Sequence, residues 1–371
     1  SKRNCESWAD MPLNIGIMGL PNSGKSTLFN AITHAHAPTG THAFSTTDRN
    51  MASVNVPDSR LDKLAEMFHP KKNTPTTVEF VDIPGVVRGS SEGAGLGNKF
   101  LGYLRQSDCL AEVVRCFDDV NVPHPDDTID PVRDMETVKL ELVLADLAVA
   151  QRRMERTRSE AKSGDKKKLF ELEVLDKVVA AFNEGAAVRE MGLSDEELGA
   201  LTELDLLSAK PVFYVANVNE GEGADAARVQ VMRGAAVGAD VIAVSAKIEA
   251  ELSEMDPADA VVFAEELGIK ESTLDQVIRA GYRLLNLLSF LTAGEDEVRA
   301  WTVRKGAKAP EAAGKIHSDL ERGFIRAEVV TYDDLMAAGS MASARTKGLL
   351  RLEGKEYVVQ DGDILNIRFS V

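Results

Sequence analysis

Lys25 and Ser26 close the octapeptide Gly19-Leu20-Pro21-Asn22-Ser23-Gly24-Lys25-Ser26, which has the G-x-x-x-x-G-K-S spacing of a phosphate-binding loop. Glycines at the two fixed positions let main-chain N–H groups turn toward phosphate oxygens, and a following helix adds the positive end of its dipole. In this pattern Asn22, Ser23, Gly24 and Thr27 complete the cradle, Lys25 reaches the β- and γ-phosphates, and the Ser26 hydroxyl is a ligand for Mg²⁺. A second group lies downstream in Thr77-Val78-Glu79-Phe80-Val81-Asp82-Ile83-Pro84-Gly85. Asp82, at the carboxyl end of an apolar alternation, is a second metal ligand, and the Gly85 N–H is a donor to the γ-phosphate. Thr46, with its neighbour Thr47, is a candidate for the metal and the γ-phosphate. Val86 stands where many GTPases carry a glutamine that orients water, and an apolar side chain cannot do that. That job must fall elsewhere. His124, beyond the next apolar run, is placed to approach the nucleotide, because ligands of open α/β sheets bind at the carboxyl ends of strands.

Two further segments face the base. Asn217-Val218-Asn219-Glu220 stands where guanine-specific proteins have N-K-x-D, and Ser245-Ala246-Lys247 resembles the second base-contacting loop. Val218 lacks the long stem that covers a base, and Glu220 displaces the carboxylate that pairs with guanine. A site so altered loses the buried polar complementarity that rejects the wrong base. Adenine offers an N6 donor that Asn217 or a main-chain carbonyl can accept, so the pattern leans toward ATP or weak selectivity.

The elements that hold these residues alternate between strand and helix. Leu13–Met18 reads as a strand and 27–32 as the start of a helix. A helix is expected over Ser59–Phe68, with Leu61, Leu64, Ala65 and Phe68 on one face. Further strands are expected over 77–82, 109–117, 210–216 and Val241–Val244. The glycine-rich run 89–97 is expected to be a mobile, γ-phosphate-sensing loop. From 134 to 185 the spacing changes to that of two antiparallel helices, with Leu140, Leu144, Leu147, Gln151 and Met154 facing Leu172, Leu175, Val179 and Phe182. The stretch 249–291 reads as helical. The last section, with strands expected at 298–303, 326–330, 357–359 and 363–369, reads as a small α+β domain. Within 299–326 seven Lys and Arg stand against three acids, a patch suited to a polyanion.

The 371 residues suffice for two or three domains, and 44% hydrophobic content supports a real core. A net charge of −16 argues against a general nucleic-acid binder. Cys5, Cys109 and Cys116 have no metal-ligand spacing and fit a reducing compartment. No apolar run is long enough to span a membrane, and residues 1–11 lack the apolar centre of a signal peptide, so a cytoplasmic location is expected.

Together these residues resemble the Obg-like ATPase (YchF) family of translation-factor-related P-loop proteins. The resemblance rests on the block 21–30, on Glu79-Phe80-Val81-Asp82-Ile83, on 95–101, on Asn217-Val218-Asn219-Glu220, and on the C-terminal blocks 280–287 and 313–319. It implies an α/β, Ras-like P-loop NTPase domain (12–132 and 209–286), an inserted antiparallel α-helical hairpin (133–208) and a C-terminal β-grasp, or TGS, domain (287–371). It also implies hydrolysis of ATP in preference to GTP, dependence on Mg²⁺, and association with ribosomes. By the same likeness Thr46 is the switch threonine, Asn22 matches an asparagine that contacts K⁺ in potassium-dependent relatives, and His124 replaces the missing glutamine. Pro84 and Thr47-Asp48-Arg49-Asn50 depart from the family pattern beside the γ-phosphate. The expected partners are ribosomal subunits or their RNA, not DNA or a membrane, and the expected state is a monomer. Two other readings stay open: a GTPase of the same fold, and a scaffold or RNA-binding protein with structural nucleotide.

Overall fold

The computed structural model describes residues 13–36, 51–86, 89, 96–267, 269 and 272–370. Thr46, Thr47, residues 1–11 and most of the run 89–97 lie outside them. Contacts divide the chain into two compact units, one of Asn14–Ala52 with Glu79–Val277, the other including Ser53–Val78 and Ile278–Val371. The strands are β1 (Leu13–Met18), β2 (Met51–Asn55), β3 (Lys72–Thr74), β4 (Thr77–Asp82), β5 (Cys109–Arg115) and β6 (Val212–Asn217). Then come β7 (Val241–Val244), β8 (Leu287–Ala293), β9 (Glu297–Arg304), β10 (Phe324–Thr331), β11 (Arg351–Glu353) and β12 (Asp363–Phe369).

One sheet runs β2-β4-β1-β5-β6-β7. β1 pairs with β5, β5 with β6 and β6 with β7, all parallel, with Ile15 opposite Cys109 and Arg115 opposite Asn217. Every residue of β5 is buried, as a central parallel strand covered on both faces requires. Parallel order brings the loops after β1, β5 and β6 to one edge, where the phosphate loop opens the helix Lys25–His36.

The inserted helices start at Pro131. Asp130 caps the helix Pro131–Glu160 by accepting from the Arg133 N–H, and proline fits the first turn, where its missing donor costs nothing. The chain turns at 161–165 and returns as Lys166–Asn183. Arg153 and Thr157 meet Glu171 across the pair, which is therefore antiparallel as expected. The seam differs. Leu140 and Leu144 are 43% and 44% exposed, while Val143, Leu147, Ala150 and Met154 pack with Val174, Leu175, Val178 and Phe182. The long helix divides its apolar residues between two cores, because Met135, Val138, Leu142 and Ala145 pack instead with the nucleotide sheet. A single heptad stripe cannot describe such a helix.

The second unit is a mixed sheet in the order β11-β10-β12-β8-β9-β3. One face packs Phe290, Val303, Ala327 and Val329 under the helix Ala309–Ile316, whose Ala309, Ala312 and Ala313 permit close approach. The other face buries Leu61 and Leu64 of the helix Ser59–Phe68 against Leu291, Val298, Ala300 and Ile364. Two expectations are corrected. Leu287–Leu291 is strand rather than helix, because Asn286 at φ 52° follows the end of the helix Thr273–Leu284 and the chain then pairs with β9. Residues 357–359 make only an isolated bridge, Val358 to Lys308, since hydrogen bonds there go to the turn beside Ala307 and Ala309.

Candidate nucleotide site

The phosphate loop holds itself in a binding shape. Asn22 adopts φ 60° and Gly24 φ 97°. A side chain at Gly24 would meet the Asn217 amide, so glycine is required by both backbone angle and space. A Cβ at Gly85 would come within 3.1–3.3 Å of the Pro21 backbone and the Lys25 ammonium, so space is tight there although the backbone angle is ordinary. Lys25 is buried and donates to the Leu20 carbonyl at 2.6 Å. Burial lowers its pKa to about 8, partly offset by Asp82.

Ser26 Oγ donates to Asp82 Oδ2 at 2.8 Å, which joins the helix start to the end of β4. Burial raises the Asp82 pKa, and its Oδ1 is buried without a hydrogen-bond partner. A hydroxyl beside a carboxylate with an unsatisfied oxygen is a hard-oxygen donor set, which fits Mg²⁺. Val86 is buried in the core with its N–H on the Gly19 carbonyl, so its side chain is withdrawn from the site.

On the base side, Asn217 braces two loops. Its Nδ2 donates to the Ser23 carbonyl at 2.9 Å, and its Oδ1 accepts from Ala246 N–H at 3.0 Å. One amide hydrogen and one lone pair stay available. Val218 lies in the core and donates its N–H to Val244, so no side chain at that position covers a base. Ser245 precedes the helix Ala246–Glu254, on which Lys247 is exposed. Glu220 is exposed in the turn after β6, and Thr27 on the phosphate-loop helix is exposed as well.

His124 reaches the site through its neighbour. Asn22 Nδ2 donates to the Pro123 carbonyl at 3.1 Å. The imidazole itself is committed: Nδ1 accepts from Asp126 N–H at 3.1 Å, which leaves Nε2 to donate to Asp134 at 2.8 Å. His124, Asp126 and Asp134 have the spacing of a metal cluster, but Arg133 lies 3.4 Å from Asp126 and 3.2 Å from Asp134. A guanidinium thus already supplies the cation there. Thr46 falls outside the described residues.

Sequence reading overlooked three residues here. Asp134 orients His124, Glu112 is buried beneath the loop, and Arg115 ends β5. A charge inside an apolar run was the available signal, since a buried charge demands partners. A cleft too tight for water, lined in part by Ser23, Glu112, Arg115 and Asp134, leaves Ser23 Oγ and Glu112 Oε1 without hydrogen bonds.

Residues 14–146 match a family model described as a 50S ribosome-binding GTPase. Residues 287–370 match the YchF-GTPase C-terminal model, described as a protein of unknown function. The ribosome-binding ATPase YchF of Bacillus subtilis is 52% identical over 366 residues, covering 97% of this chain and 100% of its own length. Obg-like ATPase 1 of Oryza sativa is 40% identical, with 97% and 92% covered. The structure of the Schizosaccharomyces pombe YchF GTPase is similar with a TM-score of 0.83 at 35% identity, covering 96% of this chain and 97% of that one. These likenesses bear out the α/β P-loop fold and extend over both units. The chain belongs to the YchF family of Obg-like ATPases.

Proposed function

We propose that this chain is a Mg²⁺-dependent hydrolase of nucleoside triphosphates that prefers ATP to GTP and works at the ribosome, in the cytoplasm. The observation that carries the reading is the Ser26–Asp82 pair at 2.8 Å, beside a phosphate loop whose lysine is already turned inward. Ser26 and Asp82 would hold Mg²⁺, which supplies positive charge to the β- and γ-phosphate oxygens when bound. Lys25 exchanges the Leu20 carbonyl for a phosphate oxygen, a stronger charge-assisted bond. Main-chain N–H groups of 22–27 cradle the phosphates, and Gly85 N–H donates to the γ-phosphate. Asn22 commits its nitrogen to Pro123 and offers its amide oxygen to a monovalent cation such as K⁺. His124 positions the attacking water once Nε2 exchanges Asp134 for it. Catalysis is then mainly by positioning and charge.

ATP preference draws support from the buried Val218 and from relatives named ATPases. Ribosome association draws support from relatives named ribosome-binding. We read 12–132 with 209–286 as the nucleotide domain, 133–208 as the inserted hairpin and 287–371 as a TGS domain. The Schizosaccharomyces pombe relative is called a GTPase, which favours a second reading, GTP hydrolysis on the same site. Titration of nucleotide-free protein with fluorescent ATP and GTP analogues, with Mg²⁺ and K⁺, separates the two. Tighter ATP binding is expected, and clear GTP preference overturns the base assignment. Ribosome pelleting with a Lys25→Ala variant tests the switch: nucleotide-independent pelleting would make the chain a scaffold.

A further inference from the structure

Arg115 is 3% exposed at the end of β5. A buried guanidinium offers five N–H donors, and leaving them unpaired is costly. Nε donates to the Phe117 carbonyl at 3.2 Å and Nη2 to that of Asp119 at 3.1 Å. Nη1 donates to the carbonyls of Val122 at 2.8 Å and Pro123 at 3.4 Å. The guanidinium also lies over the Phe117 ring, 4.5 Å from its centroid. All four acceptors are main-chain carbonyls of one loop, which wraps around this single side chain.

That loop spans the nucleotide site. At its start Asp118 N–H donates to Asn219 Oδ1 at 3.3 Å, and Arg228 holds the Asp118 carboxylate, so the loop is tied to the base-side segment. At its end the Pro123 carbonyl also accepts from Asn22 of the phosphate loop, and His124 follows. We infer that Arg115 is a positioning residue for hydrolysis: it holds residues 117–123 so that Pro123 engages Asn22 and His124 is presented to the phosphate end. Its role is exercised through the loop carbonyls that it holds. The inference rests on the reading of His124 proposed above. Lysine cannot replace it, because an ammonium has three donors at one point and cannot span four carbonyls around a plane.

The test compares Arg115→Lys, Arg115→Ala and His124→Ala in the full chain by nucleotide affinity, single-turnover hydrolysis and melting temperature. For Arg115→Lys the expected result is affinity within threefold of the parent and turnover down at least tenfold. Guanidinium ion at millimolar concentration should restore turnover to Arg115→Ala without changing affinity. Combined with His124→Ala, Arg115→Lys should cause no further loss. Unchanged turnover in Arg115→Lys overturns the inference. So does a loss of affinity and melting temperature in step with turnover, or an additive loss in the double variant. Full turnover in His124→Ala alone would instead overturn the role of His124, which the Arg115 variants do not decide.

Discussion

Two side chains at or beneath the phosphate loop carry a pH dependence set by burial, which moves their pKa values in opposite directions. Lys25 has its pKa lowered to about 8 by burial, while bound phosphates favour the ammonium form. Nucleotide binding above pH 8 should therefore take up a proton, and affinity should fall about tenfold per pH unit until the bound-state pKa is reached. Calorimetry at pH 8.5 in buffers of different ionisation enthalpy reads this directly, and Lys25→Met should abolish the uptake. Glu112 is pushed up to about 8 from 4.5, chiefly by burial, with Arg189 pulling the other way. Between those values the unfolded chain ionises and the folded chain does not, so stability falls as pH rises, by about 1.4 kcal/mol per unit. Glu112→Gln should remove that slope. Denaturant unfolding at pH 5.5 and 8 should show the variant gaining on the parent, and parallel curves would refute it.

Packing of the inserted helices is the feature that element-level experiments can decide. Leu144→Ala should cost under about 1 kcal/mol, whereas Leu175→Ala, fully buried in the seam, should cost about 2–5 kcal/mol. Equal costs would restore the single-stripe seam. Asp146, within the first helix, is wholly buried and accepts from Leu207 N–H at 2.9 Å and Ser208 N–H at 2.7 Å. It thereby pins the segment that leads back into β6. Asp146→Ala leaves two buried donors unpaired and should cost about 2–5 kcal/mol. Asp146→Asn, which keeps one acceptor, should cost less, and chemical denaturation ranks the two.

Each unit of the whole molecule has its own core, and the second is assembled from distant parts of the chain. Leu61 and Leu64 fill one face of a sheet whose central strands come from the last 85 residues. Arg60 bridges Asp58 and Asp361, at 2.8 and 2.7 Å, and β3 adds the edge beside β9. A fragment of residues 278–371 should therefore bind a hydrophobic dye and exchange its amides rapidly. Linking 53–78 to it should restore slow exchange in β8 and β12. Equal protection with and without 53–78 would show that the face closes by itself.

Much of this is legible in the chain itself. A phosphate loop is a local object: glycine angles, the strand before and the helix after lie close together in sequence, so spacing alone determined Lys25, Ser26 and the placement of Asp82 at a strand end. Apolar runs at β1, β5 and β6 were readable because parallel central strands are buried on both faces, while β7, at the sheet edge, alternates buried and half-buried residues. Only tertiary structure decided where charges find their partners. Four loop carbonyls gathered by Arg115, and the Asp134 oxygen that accepts the hydrogen bond from His124 Nε2, depend on chain reversals that no period encodes. The helix Pro131–Glu160 misled for the same reason, since its two apolar stripes answer to two different cores. Within residues 53–78 the sequence likewise reads as a helix over Ser59–Phe68 ahead of a strand, but which sheet that helix covers was settled by burial against strands far along the chain, where sequence spacing carries no information.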